Sequence, residues 1–136
     1  MIVDTSALIA VLLGEDGRES ILDALDEETC FLPAPALAEF WAVSSGSRVD
    51  AIQPARELVT LWRDGGLTVL PFTADHAQRL LEAIPLYGKG NGRGGLLNLL
   101  DLMVYAVAKE RDEPLLCTGK DFAATDVVLH PASRPY

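Results

Sequence analysis

Short apolar runs alternate with longer stretches of helical period along the chain. Five of the short runs have strand character: Ile2–Asp4, Cys30–Leu32, Leu67–Leu70, Leu115–Thr118 and Val127–Leu129. Between them the apolar positions recur at helical spacing. One helix is predicted from about Ser6 to Leu13, stopped by Gly14, and a second over about Arg18 to Leu25. A third begins near Pro35, where proline suits the first helical turn, and ends near Gly46. The fourth covers about Ile52 to Arg63 before Gly65-Gly66, and the fifth follows Thr73, a plausible N-cap, as far as Tyr87. The last runs from about Asn98 to Arg111, with Pro114 beyond it. This alternation points to an α/β domain with a mainly parallel sheet. The segment Gly88–Gly95 reads as a flexible loop, too short for a domain linker, leading into the last helix.

That last helix contains the most informative residue. Asp101 is the only ionisable acid in the apolar run Leu96–Ala108. A helix so apolar should be buried on most of its faces. A lone buried carboxylate costs several kcal/mol unless a cation or metal neutralises it. No basic side chain lies within the run. Asp4, Glu39 and Asp121 also lie in or beside apolar runs. The natural reading is convergence of all four on a divalent cation.

Composition narrows the picture without changing it. At 136 residues, half of them hydrophobic, the chain is most economically one domain with a substantial core. No apolar stretch reaches the roughly 18–20 residues that span a bilayer. The opening Met-Ile-Val-Asp lacks a basic flank or cleavage site, which predicts no secretory signal and a cytoplasmic location. Cys30 and Cys117 are isolated and are expected as buried free thiols. His76 and His130 lack the neighbours that a catalytic triad or a metal pair would need. A net charge of −9 argues against general adhesion to nucleic acid or anionic membrane. It leaves nucleic-acid chemistry open if bound metal, a few local cations or a basic partner supplies the attraction.

In open parallel sheets, sites form outside the carboxyl ends of the strands. Asp4 ends the first strand and Asp121 follows the strand ending at Thr118, so adjacent strands would place both carboxylates at one edge. Helical geometry can aim Asp101 and Glu39 at the same edge. Clustered carboxylates repel and cannot all stay ionised without a counter-ion. Mg²⁺ or Mn²⁺ suits oxygen ligands of this kind. Such an ion polarises a phosphoryl oxygen and lowers the pKa of bound water, which favours phosphodiester hydrolysis. Each acid also has a structural reading. Asp4 suits a helix cap, Glu39 a solvated helix face, and Asp121 a cap on the turn Phe122-Ala123-Ala124. Asp126 is expected to be structural or to support the ligands.

The order of motifs resembles PIN-domain ribonucleases, and more closely the VapC-type toxins of bacterial toxin–antitoxin pairs. Met-Ile-Val-Asp-Thr-Ser-Ala-Leu is similar to that family's first strand, acid and hydroxyl pair, and Ala38-Glu39-Phe40 to its second acidic motif. Tyr87-Gly88-Lys89-Gly90 followed by Leu97–Asp101 resembles the third, and Leu115–Asp126 the closing segment. Two departures stand out. Leu99-Leu100 precedes Asp101 where the family usually has Phe-Gly, and a glycine-rich stretch with Arg93 replaces a His-Pro-Ala-like one.

The resemblance implies a three-layer α/β/α PIN-like domain over residues 1–136, with a central, mainly parallel sheet of about five strands. It implies that Asp4, Glu39, Asp101 and Asp121 bind Mg²⁺ or Mn²⁺, Glu39 and Asp121 directly or through water, for cleavage of RNA. Ser6 and Thr118 would orient carboxylates or bound water. Asn98 would support the site or cap its helix, and Lys89, Arg93 and Lys120 would contact phosphate. A VapB-like antitoxin and a homodimer are implied as partners, with Phe40, Trp41 and the first-helix leucines either lining the antitoxin groove or packing in the core. Two other readings compete. One is a haloacid-dehalogenase-like phosphohydrolase with Asp4 as nucleophile and Lys120 as charge stabiliser, although Ser6 replaces its second acid. The other is a catalytically silent PIN-like module that binds RNA or protein.

Overall fold

A computed structural model describes residues 1–135. Four strands, β1 (Ile2–Val3), β2 (Phe31–Pro33), β3 (Thr68–Leu70) and β4 (Leu115–Leu116), form a parallel sheet in the order β3-β2-β1-β4. Six helices pack on it in a three-layer arrangement: α1 (Thr5–Leu12), α2 (Arg18–Glu27), α3 (Ala34–Ser45), α4 (Ile52–Asp64), α5 (Ala74–Tyr87) and α6 (Leu99–Arg111). Every predicted helix is present, and no end differs from expectation by more than two residues.

The fifth expected strand shrinks to a single bridge. Leu129 pairs with Leu115 beyond the sheet edge, while Val128 is 69 % exposed. Val127 and Leu129 pack on the core, but the backbone makes only a short pairing: Leu115 N–H donates to Val128 O at 2.9 Å and His130 N–H to Leu115 O at 2.8 Å.

Strand order creates a crevice. The chain steps outward from β1 to β2 to β3, then returns to add β4 on the other side of β1. The order therefore reverses between β1 and β4, where the loops leaving adjacent strands diverge and open a gap.

The core lies along β1, β4 and the inner faces of α1, α3 and α6. Ile2, Val3, Leu8, Phe40, Val107, Leu115 and Leu116 are all fully buried. Phe40 packs between Trp41 and Trp62, with ring centroids 5.8 and 6.5 Å away. Truncating such a side chain to alanine costs about 3–5 kcal/mol. Phe40 and Leu8 are thus core residues and line no groove, whereas Trp41 is only partly buried.

Local capping explains two helix starts. Thr73 accepts the His76 N–H, and His76 Nδ1 accepts the Thr73 N–H at 2.9 Å, a reciprocal box. The other His76 nitrogen faces Glu110 at 2.6 Å, so this histidine serves the packing of α5 against α6. Cys30 and Cys117 are buried free thiols. Among the described residues no helix is long and apolar enough to cross a membrane.

The glycine-rich loop is held more firmly than its composition suggests. Asn91 donates to the carbonyls of Ile84 and Pro85, both at 3.2 Å, and its Oδ1 accepts the N–H groups of Arg93 and Gly95 at 2.7 and 3.2 Å. Lys89 N–H to Leu97 O, 2.7 Å, closes the loop across its base. A Cβ on Gly95 would overlap the Gly88 carbonyl oxygen, so glycine is required there by close approach.

Candidate active site at the carboxyl edge of the sheet

Asp4 follows β1 directly, and its N–H continues the ladder to Leu116 O at 3.0 Å. It is the N-cap of α1 and is 5 % exposed. Its Oδ2 accepts the Ser6 N–H at 3.0 Å and the Ser6 hydroxyl at 2.6 Å. Burial pushes this carboxyl above its ordinary value, the Ser6 bonds oppose that, and repulsion from Asp121 adds to it. The expected helix cap is therefore present, and it leaves the carboxylate buried beside another acid.

Ser6 links two strands' ends. Its Oγ gives its hydrogen to Asp4 and accepts the Thr118 N–H at 2.9 Å, so the segment after β4 is tied to the segment after β1. The Thr118 hydroxyl lies 3.4 Å from the Ser6 carbonyl, so the backbone of Thr118, more than its side chain, joins this relay. Thr5 acts similarly toward α3, donating to Ala36 O at 2.8 Å.

Glu39 sits on α3, half-buried. Burial raises its pKa, the Thr5 hydroxyl nearby lowers it, and repulsion from Asp4 raises it again. It does not occupy the fully solvated face that its distance from the Leu37/Trp41 side suggests.

Asp101 corrects the expectation of an acid deep inside an apolar helix. Helix α6 begins at Leu99, so Asp101 lies in the first turn and is half-buried. It shares a capping box with Asn98, and the positive end of the helix dipole favours its charge. Even so, its carboxyl is pushed up to about 6. Burial is the largest cause, opposed by the Asn98 N–H, with repulsion from Asp4, Glu39 and Asp121 adding.

Asp121 is exposed, at the start of the 3₁₀ turn Phe122–Ala124, and makes no side-chain cap there. It lines a recess of about 160 Å³ with Tyr87, Arg93, Leu97 and Thr125. Lys89, Arg93 and Lys120 are all exposed. Arg93 borders the recess, while Lys89 and Lys120 form no ion pair among the described residues.

All four acids thus act on one electrostatic neighbourhood, which even the buried Cys117 thiol feels through Asp4 and Asp101. Among the described residues no basic side chain pairs with any of them. Nor are any three or more His, Cys, Asp or Glu side chains among the described residues grouped closely enough to hold a metal ion together. An ion held directly by one or two carboxylates and several waters, as Mg²⁺ is, does not need such a group. A buried acid, a half-buried acid with a raised pKa and an unpaired negative cluster fit a hard divalent cation. Sequence reasoning overlooked Asn91 as an organiser, although Asn within Gly-Asn-Gly is a turn signal, and noted Thr5 only as part of a hydroxyl pair, without its tie to Ala36.

A parallel sheet with acids gathered near its switch point is compatible with several α/β nuclease and phosphatase classes; the chain belongs to the PIN-domain family, whose profile matches residues 1–128. Within that family its relatives are VapC ribonucleases. It is 38 % identical over 128 residues to Ribonuclease VapC42 of Mycobacterium tuberculosis, covering 93 % of this chain and 96 % of that protein. Among solved structures it resembles VapC20 of Mycobacterium tuberculosis, described as a Sarcin-Ricin loop cleaving toxin, with a TM-score of 0.74 and 18 % identity. That match covers 93 % of this chain and 95 % of the other. VapBC2 from Rickettsia felis, bound to a DNA fragment from their promoter, matches with a TM-score of 0.70 and 16 % identity over 95 % and 96 % of the two chains. At these identities the structures bear on the fold alone. Family membership removes the haloacid-dehalogenase alternative.

Proposed function

We propose that this protein is a Mg²⁺- or Mn²⁺-dependent endoribonuclease, a single PIN-like domain acting in the cytoplasm as the toxin of a VapBC-type pair. The observation that supports the reading best is the convergence of four acids, none paired with a basic side chain among the described residues, at the β1/β4 switch point. Asp4 and Asp101 are the metal ligands in this reading, with Glu39 and Asp121 binding directly or through water. A bound ion of this kind would polarise a phosphoryl oxygen and lower the pKa of a water molecule.

The chain's own residues set the stage for that chemistry. Ser6 holds the Asp4 carboxylate by one oxygen, Oδ2, through both its N–H and its hydroxyl. Asn98 holds Asp101 by one oxygen, Oδ2. Arg93, at the rim of the Asp121 recess, is placed to meet an RNA phosphate, and Lys89 and Lys120 add positive charge nearby in sequence. The acidic chain suits a basic VapB-like antitoxin, in keeping with the relatives found in VapBC complexes, and a homodimer is expected from the same kinship.

The test is incubation of antitoxin-free protein with defined RNAs in Mg²⁺, Mn²⁺ or chelator, beside Asp4→Asn and Asp101→Asn. Cleavage that needs the ion and both acids is expected. Cleavage that ignores chelator, or survives in both variants, would sink the metal-nuclease reading. Metal binding without hydrolysis of any RNA would instead mark a catalytically silent binding module.

A further inference from the structure

Asp101, Tyr105 and Lys109 stand at successive i, i+4 positions and so share one stripe of α6. The lower two grip one residue. The Tyr105 hydroxyl donates to Asp126 Oδ1 at 2.7 Å, and Lys109 Nζ reaches Asp126 Oδ2 at 3.1 Å. Asp126 lies five residues beyond Asp121. The chain between them is a compact, self-bonded turn. Phe122 is buried, its carbonyl accepts the Thr125 hydroxyl at 2.7 Å, and Thr125 Oγ1 accepts the Val127 N–H at 3.2 Å.

The exposed ion pair with Lys109 holds little by itself, since water competes for both charges. The phenol is different. Tyr105 is 7 % exposed, its ring packs on Tyr87 at 5.4 Å, and its single polar atom needs a partner when buried. It takes a carboxylate from the loop that carries Asp121. One rigid turn therefore connects the exposed acid on the loop to the helix bearing the half-buried acid.

We propose that Tyr105 is a positioning residue for Asp121: by clasping Asp126 it fastens the Asp121 loop to the α6 stripe that begins at Asp101 and sets the spacing of the two carboxylates. The inference rests on the metal-centre reading above and adds to it a residue that touches neither ion nor substrate. Residues that orient ligands without touching the metal typically cost 10–100-fold in affinity when removed.

The experiment is a double-mutant cycle read by Mn²⁺ affinity, from the paramagnetic resonance of free Mn²⁺, with melting curves alongside. It uses the unaltered chain, Tyr105→Phe, Asp121→Asn and the double variant. Tyr105→Phe is expected to weaken Mn²⁺ binding roughly tenfold in the unaltered chain. In the Asp121→Asn background it should change binding by less than about twofold, because the residue it positions is gone. Equal losses in both backgrounds, or no loss in either, would overturn the clasp as a positioning device. If Tyr105→Phe does not fold, Asp126→Asn takes its place in the same cycle. A folded, unaltered chain that binds no Mn²⁺ would overturn the metal reading, and the clasp proposal would fall with it. Mn²⁺ binding with an additive cycle would overturn the clasp alone.

Discussion

Asn98 and Asp101 hold each other at the start of α6. The Asp101 N–H donates to Asn98 Oδ1 at 2.9 Å, and the Asn98 N–H donates to Asp101 Oδ2 at 3.1 Å. Two backbone donors that the first helical turn would otherwise leave open are satisfied by one pair of side chains. The same pair limits how the Asp101 carboxylate can turn. A capping device and a candidate metal ligand are therefore one residue, and changes at Asn98 should register at both.

Asn98→Ala removes the acceptor for the Asp101 N–H. The expected loss is about 1 kcal/mol of stability, measured as a lowered urea midpoint at constant slope. An unchanged midpoint would mean the box does not operate in solution.

Asp101 makes stability depend on pH in a defined direction. Its carboxyl is raised from 3.8 to about 6, so the folded state prefers it protonated. In chelator, stability should fall as pH rises from about 4 through about 6 and then level off, by roughly 1–2 kcal/mol for this partly exposed group. Asp101→Asn should flatten that slope. If Asp101 is the metal ligand proposed above, Mn²⁺ affinity should run the other way, increasing as pH rises through about 6, because a ligand must lose its proton. Unfolding curves and Mn²⁺ titrations across this range check both signs.

Ser6→Ala should cost about 1–3 kcal/mol, since the half-buried Thr118 N–H loses its acceptor. It also removes the hydroxyl bond that lowers the Asp4 pKa, so Mn²⁺ binding should begin at higher pH. Ser6→Thr, which keeps the hydroxyl, should restore both. Rescue of stability without rescue of the binding onset would separate Ser6 from Asp4.

Cys117 should be inert in the folded protein. Burial pushes its thiol up to about 12, and the negative charge of Asp4 adds to the effect. A colorimetric disulfide reagent should label neither cysteine at pH 8 until denaturant is added, when both should react. Prompt labelling of the native chain would contradict the buried placement.

Much of the fold was legible because its signals act over a few residues. Gly14, Gly46 and Gly65 stop helices where expected, and Thr73 caps α5. The adjacency of β1 and β4, which brings Asp4 toward Asp121, agrees with where sites form in parallel sheets. Val127–Leu129 was misleading because an apolar run satisfies strand patterning whether or not a neighbour offers it a full ladder. The loop over Gly88–Gly95 reads as flexible because glycine frees a chain locally. Its order comes from Asn91 bonding carbonyls six and seven residues away.

The sequence by itself determined the helix and strand periods, the caps, and the presence of four acids in or beside apolar runs. These depend on side-chain volume, hydrogen-bonding groups and spacing within a turn or two. Tertiary structure alone decided which face Asp101 presents to the other acids, how Ser6 bridges to Thr118 across 112 positions, and that Tyr105 grips Asp126. Those contacts exist only after the sheet order reverses between β1 and β4. The energy that brings such distant residues together is that of packing the whole core, and no local pattern records it.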